Sequence, residues 1–275
     1  MSIVNKRLEN NVVTQHLTNY SWLEVFLLAA GLMQNNAMTL LLAIDQQART
    51  YIAPYLKLKA LIGWAEVNKI GPSMLHHRAA SLTIAITIAR ASTRDRDRGK
   101  AIDSAIDSAI AIDSTIDNAI ASARDSAITI ASARDSARDK DSFKKIENAI
   151  DNAIKNAKNN NADSNGNHHF FRTEIFDSIT TYLTRHKQAL PQISDSPKAW
   201  RTWAEVLNLI WLDALELNQD TITLSREEAI AWKNYMYANE LLIKCKRAAI
   251  RLSRTEWKNL EDRLLTLKNA ESDNS

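Results

Sequence analysis

Apolar residues recur along much of the chain at the spacing of an α-helix. In one stretch Leu58, Leu61, Ile62 and Ala65 occupy positions i, i+3, i+4 and i+7, which share one face of a helix. Patterns of this kind predict helices from Trp22 to about Gly31, Met38 to Ile52, Leu56 to Val67, Phe170 to His186, Ala199 to Leu217, Ser225 towards Arg251 and Ser253 to about Leu267. Most of the chain outside residues 73–169 is therefore expected to be helical.

Three S-x-x-E runs mark where three of these helices are expected to begin. They start at Ser21, Ser225 and Ser253. In a capping box the serine hydroxyl accepts from a first-turn amide, and the glutamate three residues later accepts from the serine N–H. Gly31 is expected to end the first helix, because glycine adopts the left-handed conformation without strain. Pro197 suits the first turn of its helix, where no N–H is needed.

Residues 83–142 follow a different rule, a strict alternation of two residue sets. Odd positions hold Ala, Thr or Asp, with Gly99 as the single exception, and even positions hold Ile, Ser, Arg, Asn or Lys. Alternation is typical of a half-buried strand. Ala and Asp are poor strand formers, however, and their face would bury little. We therefore predict helix, either as one long Ala-rich helix or as two to three packed helices, and interpret the repeat as a spacer-like insert.

The composition agrees with an all-helical fold. The 275 residues include 5 Gly and 4 Pro, whereas 45% are hydrophobic. Turn-rich β architectures need Gly and Pro at their turns. The predicted fold class is all-α, a multi-helix array or bundle with an Ala/Ile-rich helical repeat in its middle. Four segments are expected: a short-helix unit at 1–72, the helical repeat at 73–155, an Asn-rich linker at 156–169 and a helical unit at 170–275.

The cysteine count and the apolar windows bear on the compartment. Cys245 is the only cysteine, so no internal disulfide can form, which favours a reducing cytoplasm. The most apolar window, Trp22 to Met33, is about 12 residues long and contains Glu24, whereas a membrane span needs about 20. A soluble cytoplasmic protein is expected. The net charge of +3 does not indicate a polyanionic partner by itself.

The sequence contains no recognisable catalytic, cofactor or metal motif. Its Gly99-Lys100 pair lacks both the earlier glycine and the following Ser or Thr of a phosphate-binding P-loop. The pairs His76-His77 and His168-His169 are adjacent, so on a helix their side chains point about 100° apart and neither pair is a natural bidentate metal site. We expect no catalytic, cofactor-binding or metal-binding residue, and no enzymatic activity.

One basic cluster offers an alternative function. It consists of Arg90, Arg94, Arg96, Arg98 and Lys100. On a continuous helix Arg90, Arg94 and Arg98 would share one face, and nearby Asp95 and Asp97 would neutralise it. A solvated, self-neutralised face is the favoured interpretation. Binding to the phosphate backbone of a nucleic acid is the alternative, although no aromatic residues are interleaved to stack on bases.

Two stretches resemble one protein family. WLEVFLLAAGLMQNNAMTLLLAIDQQARTYI, residues 22–52, resembles a segment that follows the nucleotide-binding module in bacterial NACHT-type NTPases. YMYANELLIKCKRAAIRLSRTEWKNLEDRLLTL, residues 235–267, is similar to the C-terminus of those proteins, with its Ala-Asn-x-Leu-Leu-x-x-Cys run and leucine-rich end. The positions that carry the resemblance are Trp22, Glu24, Gly31, Ala238, Asn239, Leu241, Leu242, Cys245, Ser253, Arg254, Leu264 and Leu265.

The resemblance implies a function without catalysis. NACHT proteins belong to the STAND class of signalling NTPases, in which a switch couples a C-terminal sensor to an effector, in bacteria often for antiviral defence. The C-terminal helical domain is the sensing or restraining part. Because no Walker motif is present, the resemblance implies a helical sensor, regulatory or scaffold module without the NTPase. Its expected partner is a protein, either a NACHT NTPase subunit or a related receptor.

Overall fold

The computed structural model describes residues 11–33, 36–67, 74–91, 93, 95–112, 116–135, 140–162 and 173–267. Every regular element within these ranges is helical. The predicted all-α, multi-helix fold is therefore confirmed. Among the helices of the described ranges, none combines the length and the apolarity needed to cross a bilayer.

Twelve α-helices with complete bounds follow one another in the described ranges. The first six are α1 (Leu23–Leu32), α2 (Ala37–Ile52), α3 (Leu56–Val67), α4 (Met74–Ala91), α5 (Arg96–Ile112) and α6 (Ile116–Asp135). The next six are α7 (Lys140–Ala162), α8 (Thr173–Gln188), α9 (Pro197–Ala214), α10 (Gln219–Ile222), α11 (Arg226–Ala248) and α12 (Arg254–Arg263). A short 3₁₀ turn, Tyr20–Trp22, precedes α1.

The helices predicted from apolar spacing are confirmed. Leu56–Val67 begins and ends where expected, and Leu58, Leu61, Ile62 and Ala65 are all buried. Ser225 forms the complete capping box at α11, with its hydroxyl accepting from the Glu228 N–H and the Glu228 carboxylate accepting from the Ser225 N–H. At α12 the Ser253 hydroxyl accepts from the Glu256 N–H. Local hydrogen-bonding residues thus set these two starts.

Two expected boundaries of α1 are wrong. The capping side chain is that of Asn19 and not that of Ser21: the Asn19 side-chain oxygen accepts from the Ser21 N–H. A 3₁₀ turn then forms before the helix begins. Gly31 lies inside α1, which continues to Leu32. A Cβ atom on Gly31 would lie 3.5 Å from the Ala248 carbonyl oxygen, so this glycine sits where α1 closely approaches the end of α11.

The alternating repeat forms several packed helices and not one long helix. It covers the end of α4, all of α5 and α6, and the start of α7. Buried positions in α5 recur at helical spacing and take residues from both alternating sets: Ala101, Ile102, Ala105, Ile106, Ala109 and Ile112. The sequence repeats every two residues, whereas the helix repeats every 3.6 residues. One face of the helix therefore takes small and large side chains from both alternating sets.

These helices belong to the core, so the expectation of a spacer-like insert is wrong. Helix α5 packs along α11, α6 packs against α4, α7 and α9, and the buried residues form one continuous cluster. Helix α4 is buried on nearly every side. Its Thr83 and Thr87 hydroxyls donate to the carbonyls of Ala79 and Thr83, so burial leaves neither hydroxyl without a partner.

Helix also occupies part of the segment expected to be an Asn-rich linker. Helix α7 continues to Ala162, so residues 156–162 are helical, while 163–169 lie outside the described residues. Hydrogen bonds join α6 to α7 where this extension begins. The Asn156 side-chain amide donates to the Asp125 carboxylate at 2.8 Å, and the Ser122 hydroxyl donates to the Ala153 carbonyl at 2.7 Å.

Candidate functional site

The motif residues of α11 lie in the core. Ala238, Asn239, Leu241, Leu242 and Cys245 are all buried. The side-chain amide of Asn239 donates to the Tyr235 carbonyl one turn earlier, at 2.8 Å. Because α11 packs against α1, α2 and α5, these side chains hold the centre of the helical array. Their position favours a structural role for the motif.

Cys245 lies in an environment that suppresses thiolate formation. Burial raises the pKa of its thiol to about 12. The thiolate is the reactive form of cysteine. We expect the native protein to react with a thiol reagent such as dithionitrobenzoate only as fast as it unfolds, and to react completely in denaturant. Rapid stoichiometric labelling of the native protein would contradict this placement of the thiol.

The motif residues of α1 are less deeply placed. Trp22 stacks on His16, with ring centroids 3.8 Å apart and an interplanar angle of 2°, and this pair secures the start of α1. Glu24 is exposed. Gly31 provides the close approach to Ala248. Trp22 therefore stabilises the start of α1 and Gly31 lies at its contact with Ala248, whereas Glu24 faces solvent.

The expected shared face of the basic cluster is wrong, because helix α4 ends before α5 begins. Arg90 and Arg98 lie in different helices, and Arg94 lies outside the described residues. The Arg90 guanidinium pairs with Asp103 of α5 at 2.8 Å. Arg98 donates to the Leu224 carbonyl at 3.1 Å. In this region Asp97 pairs with Arg226 at 2.7 Å.

These contacts leave little of the cluster for an anionic partner. Arg96 and Lys100 are its exposed cations within the described residues. Gly99, the exception to the alternation, lies beneath Arg90: a Cβ atom there would approach the Arg90 guanidinium carbon to 2.9 Å. The guanidinium thus uses the space left by the missing side chain. Arg90 joins α4 to α5, and Arg98 joins α5 to the loop before α11. Binding to a nucleic acid stays a prediction.

A charged network fastens the end of the described chain to α2. The Asp45 carboxylate forms ion pairs with the guanidinium groups of Arg49, at 3.1 Å, and Arg263, at 3.4 Å. The Arg49 guanidinium also donates to the carbonyls of Thr266 and Arg263. All three charged side chains are largely shielded from solvent. The network satisfies carbonyl groups that the end of α12 leaves free.

A second contact of this kind comes from α4. The buried Arg78 guanidinium donates to the carbonyls of Glu261 and Asp262 at 3.3 and 3.4 Å. Burial lowers the pKa of Arg78, although the nearby carboxylates oppose that shift. The cation lies at the negative end of the α12 dipole, where positive charge is favoured. Leu264 and Leu265 follow and are buried, so the C-terminal segment is part of the core.

His186 and Trp203 join α8 to α9. Their rings stack with centroids 4.6 Å apart, the His186 Nε2 lies 2.8 Å from the Trp203 carbonyl oxygen, and the Trp203 indole donates to the His186 carbonyl. Burial lowers the pKa of His186, although the hydrogen bond to Trp203 opposes the shift. Burial in this contact therefore favours the neutral form of the His186 imidazole over the protonated form.

This environment predicts a pH dependence of stability. Because the pKa of His186 is lower in the folded protein than in the unfolded chain, the unfolded chain binds the proton first as the pH falls. The stabilising contribution is complete above the ordinary histidine pKa of about 6.5 and is lost as the pH falls from there to the folded value. Urea unfolding should show this loss, and His186→Phe should reduce it; an unchanged pH profile in the variant would contradict the assignment.

Helix α1 carries apolar side chains on its outer face as well as its inner face. Phe26 and Ala30 point into the core. Val25, Leu28 and Leu32 are exposed, and we call these three residues the α1 face. Their spacing of i, i+3 and i+7 makes a continuous stripe. An exposed apolar stripe of this kind is typical of a contact surface.

A groove between Tyr182 of α8, the second half of α9 and the segment that follows α9 forms a second, mainly apolar surface. Its volume is about 580 Å³ and it is open to solvent. The side chains that line it include Tyr182, Val206, Leu209, Ile210, Asp213 and Leu217, and we call it the α8–α9 groove. Tyr182, Val206 and Leu209 are exposed in it. Sequence reasoning did not find this groove, because its two walls are separated by the loop before α9.

The structure brings together no set of side chains that resembles a metal centre in the part of the chain it describes. No three His, Cys, Asp or Glu side chains there are grouped as metal ligands would be. His76 and His77 both lie on α4, and His168 and His169 lie outside the described residues.

The fold and these surfaces define an all-helical protein with a buried central helix and exposed apolar faces. Residues 179–267 match the family model of NACHT C-terminal Helical domain 2. The match covers about a third of the chain, from within α8 to beyond α12. The expected resemblance to a NACHT C-terminal helical domain is confirmed for these residues. For residues 22–52 it stays a prediction. No curated protein and no solved structure matches the chain.

Proposed function

We propose that the chain is a non-catalytic helical sensor or regulatory module related to the C-terminal domain of NACHT NTPases, and that it acts through protein–protein contacts in antiviral signalling. The observation that carries this proposal is the match of residues 179–267 to NACHT C-terminal Helical domain 2. The proposed partner is a NACHT NTPase, as a separate subunit or as a related receptor. The proposed compartment is the cytoplasm.

The placement of the motif residues supports a role in contact rather than in catalysis. Residues that carry the family pattern in α11 are buried and occupied with packing or backbone hydrogen bonds. Two surfaces of the described residues that a partner could contact are the α1 face and the α8–α9 groove. Both combine exposed apolar side chains with defined helix geometry, which is the usual basis of helix-mediated recognition.

The helix packing also supports transmission of a signal. Helix α11 touches α1 at one side and α5 at another, while α5 and α6 both contact α4. A partner bound to the α1 face would therefore contact a helix that packs directly against α11, the central helix of the core. Packed helices of this kind can carry energetic coupling between a contact surface and the rest of a fold.

The direct test uses the purified chain and a NACHT NTPase encoded in the same genome. We expect no ATP or GTP hydrolysis by the chain alone, and a changed hydrolysis rate of the NTPase when the chain is added. Leu28→Glu combined with Leu32→Glu should reduce the effect, because charge on the α1 face opposes burial. Ile128→Glu, on an exposed position of α6, is the control.

Two results would contradict the proposal. One is nucleotide turnover that follows the chain through every purification step, which would make it an enzyme. The other is an NTPase rate unaffected by the chain at any concentration, with no complex detected by sedimentation. Circular dichroism of each variant confirms that helix content is unchanged, so that a lost effect reports a lost contact.

A further inference from the structure

We propose that the junction of α11 and α12 is a binding surface for an acidic segment of a partner protein, one that combines Asp or Glu residues with apolar side chains. Four cations flank one exposed isoleucine there, and we call the set the α11–α12 corner: Lys246, Arg247, Ile250, Arg251 and Arg254. The inference goes beyond the proposed function, because it names the chemistry of a bound segment and does not require that the partner be an NTPase.

The corner is a short loop that is held to the core beside its exposed residues. Helix α11 ends at Ala248 and α12 begins at Arg254, so residues 249–253 connect them. Leu252 and Trp257 pack against the core, and the Lys246 ammonium lies over the Trp257 ring, 5.2 Å from its centroid. This contact places the last turn of α11 beside the first turn of α12. The corner is therefore a defined part of the fold.

The cations of the corner outnumber its carboxylates. Residues 246–257 carry four cations and one carboxylate, that of Glu256. Arg247, Arg251 and Arg254 are exposed, and none of the three forms an ion pair with another described residue. Arg247 reaches the Ile112 carbonyl at 3.5 Å, which leaves its charge uncompensated. The corner therefore carries an excess of positive charge that an acidic partner would offset.

Two of these arginines lie where the fold itself disfavours positive charge. Arg251 precedes the start of α12, and Arg254 is the first residue of that helix. The N-terminus of a helix carries partial positive charge, so cations there lower stability. Glu256 is favourably placed in this first turn, but it pairs with neither arginine. Carboxylates of a bound segment would offset this cost.

The exposed isoleucine favours a protein partner over a nucleic acid. Ile250 is 74% exposed, whereas Leu252, two residues later, packs against the core. A phosphate backbone supplies charge to a basic surface but no apolar group to cover an isoleucine. An apolar centre with a polar rim is the usual anatomy of a protein interface. The bound segment is expected to cover Ile250 and to place carboxylates on the surrounding cations.

The test uses the full chain and a fluorescein-labelled peptide of repeating Asp-Glu-Leu units, whose anisotropy reports binding. We expect binding that weakens as salt is added, because salt screens exposed charges. A peptide with Asn and Gln in place of Asp and Glu should bind about ten-fold more weakly or less, since it keeps the apolar side chains and loses the charge.

Two changes in the corner separate its charge from its apolar centre. Arg251→Glu with Arg254→Glu should weaken binding of the acidic peptide by about ten-fold or more. Lys144→Glu with Lys145→Glu makes the same change of net charge at exposed positions of α7, and its affinity should stay within about two-fold of wild type. Ile250→Ser should weaken binding by about three-fold or more, because it removes the apolar centre.

Several outcomes would overturn the proposal. No binding of the acidic peptide removes it, while leaving the proposed NTPase contact open to its own assay. Equal losses in the α7 variant and the corner variant would show that the peptide responds to net charge alone. Binding that Ile250→Ser leaves unchanged, or tighter binding of a single-stranded DNA of similar length, would contradict a protein segment as the occupant. Circular dichroism confirms that each variant is folded.

Discussion

Ile130→Ala is expected to lower the free energy of unfolding by about 2–5 kcal/mol, whereas Ile128→Ala is expected to change it by less than about 0.5 kcal/mol. Both residues lie in α6 and in the alternating repeat. Ile130 is fully buried, and Ile128 is 50% exposed. Removing the Ile130 side chain leaves a cavity beneath α6. At Ile128 the small loss of burial is offset by the higher helix propensity of alanine.

This pair separates the helical structure from the strand that the alternation suggests. Two residues apart, side chains on a strand point to the same face, whereas on a helix they point about 200° apart. Urea unfolding followed by circular dichroism measures both changes. Equal losses at the two positions would contradict the helix. Small losses at both would show that the repeat is not part of the core.

Asp45→Ala is expected to lower the free energy of unfolding by about 3 kcal/mol. The change removes the carboxylate that pairs with both Arg49 and Arg263, and all three groups are largely shielded from water. Removing one partner of a shielded ion pair costs about 3–5 kcal/mol, because a charge is left without compensation. The lower end is expected, because Arg49 keeps its two carbonyl acceptors at Arg263 and Thr266.

The matched control for this variant is Asp262→Ala. Asp262 pairs with Lys258 at 2.7 Å, but both side chains are well exposed. An exposed pair of this kind contributes less than about 1 kcal/mol. Its backbone carbonyl still accepts from Arg78 in the variant. Urea unfolding should therefore rank the two variants clearly, and equal losses would show that the Asp45 network does not hold the end of the chain.

Helices outside the repeat were predictable because their local signals agree with their packing. The hydrogen bonds between Ser225 and Glu228 are local and do not depend on the rest of the fold. The start of α11 is therefore predictable from residues 225–228 alone. Ser21 failed because Asn19, two residues earlier, takes the capping role. The prediction that Gly31 ends α1 failed because this residue is helical and α1 continues to Leu32, where the helix packs near Ala248, more than 200 positions away.

The repeat shows the limit of periodicity as a signal. Its sequence period of two is the period of a strand, but Ala and Asp are poor strand formers. The same period does not give a single amphipathic helix a continuous apolar face. Which residues of α5 and α6 are buried depends on where each helix begins and on the neighbours it meets, and no local pattern supplies either. The break between Ala91 and Arg96 is an example, since it separates Arg90 from Arg98 and directs Arg90 to Asp103.

The candidate surfaces were only partly predictable. The α11 motif positions follow from the resemblance, and their burial follows from the central place of that helix. The apolar character of α1 is visible in the sequence, but its exposed face is not, because exposure depends on which neighbours are present. The α8–α9 groove requires Tyr182 of α8 and Leu209 of α9 to line one cavity, and no local pattern in the sequence shows that these two residues meet there.

The central claim is that the alternating repeat and the NACHT-type C-terminal helices share one core. Amide hydrogen exchange of the native full chain, resolved by peptide, tests it most directly. We expect the amides of α4 and α6 to be protected to a degree similar to those of α11, and to lose protection together with them in denaturant. Fast exchange across α4 and α6, with α11 still protected, would contradict a shared core.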